Sequence, residues 1–210
     1  KKKTFFYSLI LGCLVTSLRR TEIGLNNLSL KQVVDILSAD IEKIPSFNAF
    51  VTFLRGKDKK DVVQLLLEAL NRNIKNYGGS HIIDAMGELG YDDFLAPLTR
   101  ALFEDNDYIF LAAEKALLGY GDKTIDCIKG NFKNMKEGDR ALALSVIKKI
   151  GGLKAVKFLD DFFEDLWRED KKKLLNAIET VPDERFIERL QPYTNKNQFM
   201  IDHTYIVLSK

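Results

Sequence analysis

Six turn-forming residues punctuate this chain at nearly even intervals: Gly24, Gly56, Gly90, Gly121, Gly151 and Pro182. The steps between them are 32, 34, 31, 30 and 31 residues. A period of that length marks one supersecondary unit used repeatedly. Such a unit cannot bury its apolar face alone and builds a core only by stacking on its neighbours.

The residues around each turn say what the unit is. Ala85, Met86 and Leu89 precede Gly90, and Ala116, Leu117 and Tyr120 precede Gly121. Val146, Ile147 and Ile150 precede Gly151, and Ala177, Ile178 and Val181 precede Pro182. The offsets are constant and place three side chains on one helical face. A second set follows each turn: Phe94, Leu95 and Leu98; Ile125 and Ile128; Val156 and Leu159; Phe186, Ile187 and Leu190. Each unit therefore reads as helix, tight turn, helix. Glycine suits the turn through its freedom at positive φ. Asp92, Asp122 and Asp183 stand where they would cap the helix that follows. Alternating strand patterns and Asn-Gly hairpin turns do not occur.

The expected fold is all-α: a right-handed solenoid of about six antiparallel helix pairs plus one extra C-terminal helix. It is read as a single domain over 1–210, with divergent repeats over 1–80 and regular ones over 81–210. The stretch from Asn71 to Ser80 reads as a longer joint than those downstream. Phe199 to Leu208 reads as a first helix without its mate, since the next turn falls due near position 212. That reading favours a chain cut from a longer protein.

Composition restricts function more than it suggests one. Hydrophobic residues make up 46% and charged residues 30%, the balance of a packed domain. The net charge of +2 gives no global attraction for nucleic acid. Residues 1–80 hold 13 Lys and Arg against 7 Asp and Glu, so the basic excess lies at the start. Apolar runs fall short of the roughly 20 residues a spanning helix needs. Lys1 to Cys13 has two readings. One is an amphipathic helix with Ser8, Gly12 and Thr16 on one stripe; the other is an export signal with a lipid-accepting Cys13. The first makes the protein cytoplasmic and the second an exported lipoprotein. Cys13 and Cys127 fit no metal or redox spacing and read as buried small apolar residues.

The unit resembles HEAT-like repeats of the short phycobilisome-lyase type. Their pattern is Ala-x-x-x-Leu-Gly-x-x-x-x-hydrophobic-x-x-Leu. Ala85-Met86-Gly87-Glu88-Leu89-Gly90 through Leu98 fits it best, and Ala112 through Gly121-Asp122 fits nearly as well. The resemblance covers 81–193 closely and 1–80 loosely. It implies architecture. Such repeats serve bilin lyases, metal-dependent hydroxylases, DNA glycosylases and plain scaffolds alike.

The hydroxylase chemistry needs His-Glu pairs. His81 and His203, the two histidines, lack a following Glu and read as helix-end or surface residues. Gly-rich phosphate loops, nucleophile elbows and catalytic Cys-His pairs are absent from the sequence. The expectation is a non-enzymatic scaffold without cofactor or metal, binding a protein or peptide on the face carried by the second helices. Its contact residues would be Arg100, Lys129, Lys133, Asp161, Glu164 and Trp167. Asp160 to Trp167 reads as one acidic helix carrying Phe162, Phe163 and Trp167. Trp167 is either an exposed anchor for a basic peptide or a core residue closing the gap between units. Nucleic-acid binding is the alternative, disfavoured by the mixed charge of these helices. A lyase-like or chaperone subunit acting on a client protein is the other. Partner identity and oligomeric state have no signature in the residues.

Overall fold

The computed structural model describes residues 25–44 and 46–193. The readings of Lys1–Cys13, Gly24, His203 and the helix over Phe199–Leu208 lie outside the described residues. Among the described residues there are twelve α-helices, four short 3-10 turns and no strand. They fall into two compact units that divide between Gly119 and Tyr120.

The first unit holds α1 (Leu30–Leu37), α2 (Phe47–Arg55), α3 (Lys59–Asn73), α4 (Tyr77–Leu89), α5 (Leu95–Ala101) and nearly all of α6 (Asp107–Tyr120). α3 packs on α4, and α1 touches α2, α3 and α4. Leu54, Val62, Leu66, Ile82, Met86 and Leu117 are fully or almost fully buried in this core. The second unit holds α7 (Asp122–Asn131), α8 (Glu137–Ile150), α9 (Gly152–Asp161), α10 (Phe163–Glu169), α11 (Lys171–Thr180) and α12 (Arg185–Leu190). α7 packs on α8 and α9, and α11 packs on α8, α9 and α10. Ile128, Ile147, Phe158, Leu159, Phe163, Ile178 and Leu190 form its interior.

The expected turns are where helices end. Gly90, Gly121 and Gly151 have φ of 69°, 55° and 67°, values that favour a residue without Cβ. Gly56 differs: it ends α2 at φ −83°, open to any residue. Of the three turn aspartates, Asp183 takes the Arg185 amide at 3.1 Å from the position before the N-cap Glu184, which itself makes no side-chain cap. The N-cap of α7 is Gly121 and that of α5 is Phe94, both without a side-chain cap. Elsewhere the caps come from polar residues just before a helix. Ser29 and Gln32 form a capping box on α1. Asp58 caps α3 and Asn76 caps α4. Asn106 takes the Tyr108 and Ile109 amides at 3.0 and 3.2 Å, and Asp170 takes the Lys173 amide at 3.0 Å.

Two expectations about length fail. The supposed long joint over Asn71–Ser80 is mostly helix: α3 runs to Asn73 and α4 starts at Tyr77. Gly78 and Gly79 are packing residues, not loop residues. A Cβ on Gly78 would collide with the Ser38 carbonyl, and one on Gly79 with the Asn73 carbonyl. The acidic aromatic stretch is likewise two helices. α9 ends at Asp161, Phe162 sits between at φ −106°, and α10 starts at Phe163.

Within each unit, polar partners recur at a near-constant sequence separation. In the first, Arg55 donates to the Glu88 carbonyl at 2.5 Å, Lys59 pairs with Asp93 at 2.6 Å, and Lys115 pairs with Asp84 at 3.0 Å. In the second, Asp126 pairs with Lys154, Lys129 with Asp161, Arg140 with Glu169, and Asp160 with Arg189. Each pair joins residues 28 to 34 apart.

Candidate functional site

Five of the six expected contact residues lie in the second unit. Lys129, in the last turn of α7, puts its Nζ 2.5 Å from the Asp161 carboxylate at the end of α9. Lys133, just past α7, reaches Asp165 of α10 at 3.3 Å and stands over the Phe162 ring at 5.9 Å. Glu164 meets Arg189 at 3.3 Å, and Arg189 also reaches Asp160 at 3.1 Å. These side chains do share one surface, carried by α7, α9, α10 and α12. Their charges largely answer one another across it. Arg100 is exposed in the last turn of α5, in the first unit.

Trp167 takes the core role of the two considered. It is 8% exposed, stacked on Phe163 at 5.7 Å and against Tyr193 at 4.2 Å, with Lys171 over the ring at 5.4 Å. Phe163, Leu166 and Trp167 continue the buried stripe of Leu159 and Phe162. The exposed-anchor reading is thereby corrected.

Other readings shift as well. His81 is buried in the second turn of α4, and its Nε2 lies 2.7 Å from the Ile41 carbonyl, where it ties down the connection after α1. It is therefore not a helix-end or surface residue. Cys127 is half-buried, not fully buried, because it lies at the margin of the α7 core face. Ile187, expected in the core, is 46% exposed on the short α12. Among the described residues, no three His, Cys, Asp or Glu side chains are grouped to hold a metal ion, and no helix is long and apolar enough to cross a membrane.

The surface that sequence reasoning missed is a cleft of about 230 Å³ beside these pairs. Phe132 and Phe162 form its floor, with ring centroids 4.9 Å apart in an edge-to-face contact. The ion pairs of Lys133 with Asp165 and of Arg140 with Glu169 also line it. Arg140 is the informative residue. Its Nη1 pairs with Glu169 at 2.8 Å, yet its Nε is buried and makes no hydrogen bond. A buried donor left unmatched costs roughly 1–3 kcal/mol. The sequence hid Arg140 because it belongs to α8, a first helix, whereas contact residues were sought on second helices.

The arrangement offers two cations and two carboxylates at short range over two nearly buried aromatic rings. That set suits the mixed polar and apolar surface of a peptide. Comparison with family models, with curated proteins and with solved structures yields no match.

Proposed function

We propose that this chain is a non-enzymatic scaffold of the HEAT-like kind. In this reading its helix pairs stack as a right-handed solenoid and hold a peptide segment of a partner protein. The observation that carries the reading is the cleft over Phe132 and Phe162, with the buried and unmatched Nε of Arg140 beside it. A peptide carbonyl or carboxylate would meet the accessible part of the Arg140 guanidinium, and an apolar side chain would lie over the exposed edge of the rings. The recurrence of polar partners at 28 to 34 residues supports the repeat part of the reading.

The ion pairs also weigh against the nucleic-acid alternative. A phosphate track needs cations in a row, and on this surface Lys129 and Lys133 each face a carboxylate.

The test is selection from a displayed library of random peptides. The reading expects a selectable binder whose affinity falls at least tenfold in Arg140→Met, which keeps the length of the side chain and removes the donor. A library that yields no binder, or a binder indifferent to that change, would refute it.

A further inference from the structure

A second groove in the same unit is bordered by a helix that opens on three lysines. α11 opens with Lys171, Lys172 and Lys173, and its first turn has no acidic residue. The partial positive charge at a helix N-terminus favours carboxylates there and disfavours ammonium groups. α7 has Asp122 in its first turn, α8 has Glu137 and Asp139, and α10 has Glu164 and Asp165, whereas α9, like α11, has no acid there. At α11 the carboxylate is Asp170 at the N-cap, which takes the Lys173 amide.

The geometry gives those lysines a setting. Lys172 and Lys173 border a groove of about 340 Å³ between α8 and α11, the larger of the two cavities described here. Ala141 and Leu144 of α8 supply apolar wall, and Lys148 stands on the same side. Asp170 is the one acid lining the groove, and it is already engaged by the Lys173 ammonium at 2.7 Å. Lys173 also lies 3.7 Å from Glu137. Lys148 has only the neutral Asn176 amide oxygen, at 2.5 Å, as its described partner. Lys172 is exposed.

We propose that this groove docks an acidic, leucine-bearing segment of a partner protein. Carboxylates would meet Lys172, Lys148 and the α11 N-terminus, while an apolar side chain lies against Ala141 and Leu144. The proposal rests on the reading of the chain as a partner-binding scaffold but places a separate contact on a separate surface. The cleft of Arg140 has balanced charge, whereas this groove has an excess of cations.

The probe is a fluorescein-labelled twelve-residue peptide of alternating glutamate and leucine pairs, followed by anisotropy at low salt. The expected result is saturable binding that weakens in high salt and falls at least tenfold in the double variant Lys148→Glu/Lys172→Glu. That is about what two surface ion pairs contribute together. Lys157→Glu, an exposed change on α9, should alter it less than twofold, and a lysine-for-glutamate version of the peptide should not bind. Lys172→Gln gives a second reading, with a severalfold loss, should the double variant fold poorly. Absence of binding to the unaltered protein would overturn the proposal. So would equal losses in the groove variants and Lys157→Glu. Loss in Arg140→Met with the groove variants unaffected would also overturn it, assigning the peptide to the cleft and leaving the scaffold reading intact.

Discussion

The ammonium of Lys129 lies 2.5 Å from the carboxylate of Asp161, thirty-two residues further along the chain. The pair ties the end of α7 to the end of α9, two helices that already pack through Ile125, Ile128, Val156 and Leu159. Apolar burial sets the contact, and the ion pair fixes its register. Both side chains are more than a third exposed, at 43% and 37%, so the electrostatic part is small.

Lys129→Asp and Asp161→Lys should therefore each lower stability by only about 0.2–1 kcal/mol at low salt. The swap Lys129→Asp combined with Asp161→Lys should recover most of that loss. Urea unfolding of the two single variants and the swap measures the coupling. It should shrink in 0.5 M salt, where exposed charges are screened.

Glycine substitutions should divide sharply by position. Gly79→Ala sets a Cβ against the Asn73 carbonyl and 2.8 Å from Ile109 Cδ1, so backbone must move. A loss on the order of 3 kcal/mol or more is expected. Gly130→Ala, in α7 with open space around the new methyl, should gain roughly 0.5–1 kcal/mol from helix propensity. Thermal melts of the two variants against the parent decide the contrast.

Trp167 is the one tryptophan, so its emission reports a single site. Its burial against Phe163 and Tyr193 predicts a blue-shifted maximum and weak quenching by acrylamide, both lost on unfolding. Emission at the wavelength of free tryptophan in the native protein would contradict the packing of α10.

Asp170 caps α11 through the Lys173 amide, and the Lys173 ammonium beside it holds its carboxyl below the usual aspartate value. A carboxylate depressed on folding stabilises the native state above its unfolded pKa and loses that contribution as pH falls through the folded value. Asp170→Asn should keep the cap yet flatten the fall in stability at acid pH below about 4. Asp170→Ala should also lose about 1 kcal/mol at neutral pH. Stability measured from pH 2 to 7 separates the two.

The helical content and most turn positions were legible because they depend on local rules. Offsets of one and four residues define a face, and glycine marks the left-handed closures at Gly90 and Gly121. What was not legible depended on tertiary contact. Gly78 and Gly79 look like a loop in the sequence, and only the carbonyls of Ser38 and Asn73 reveal why a Cβ is excluded. The break at Phe162 has no proline or glycine to announce it, and whether the face of Phe163 and Trp167 meets a neighbour depends on how α10 packs. The expected contact residues on α7, α9 and α10 were found near one another, but that Lys129 pairs with Asp161, Lys133 with Asp165 and Glu164 with Arg189 depends on which helix lies beside which. Arg140 carries no sequence signal at all. Its meaning comes from the burial of Nε beside two aromatic rings.

The central claim is that the cleft of Phe132, Phe162 and Arg140 receives a peptide. Titrating a library-selected peptide into the ¹⁵N-labelled protein, and following backbone and arginine Nε resonances, tests it most directly. The account predicts that the largest shifts fall on Phe132, Lys133, Arg140 Nε and residues 162–169, with Arg140 Nε moving most. Saturating binding that leaves Arg140 Nε and the Phe132 and Phe162 amides unmoved would contradict it.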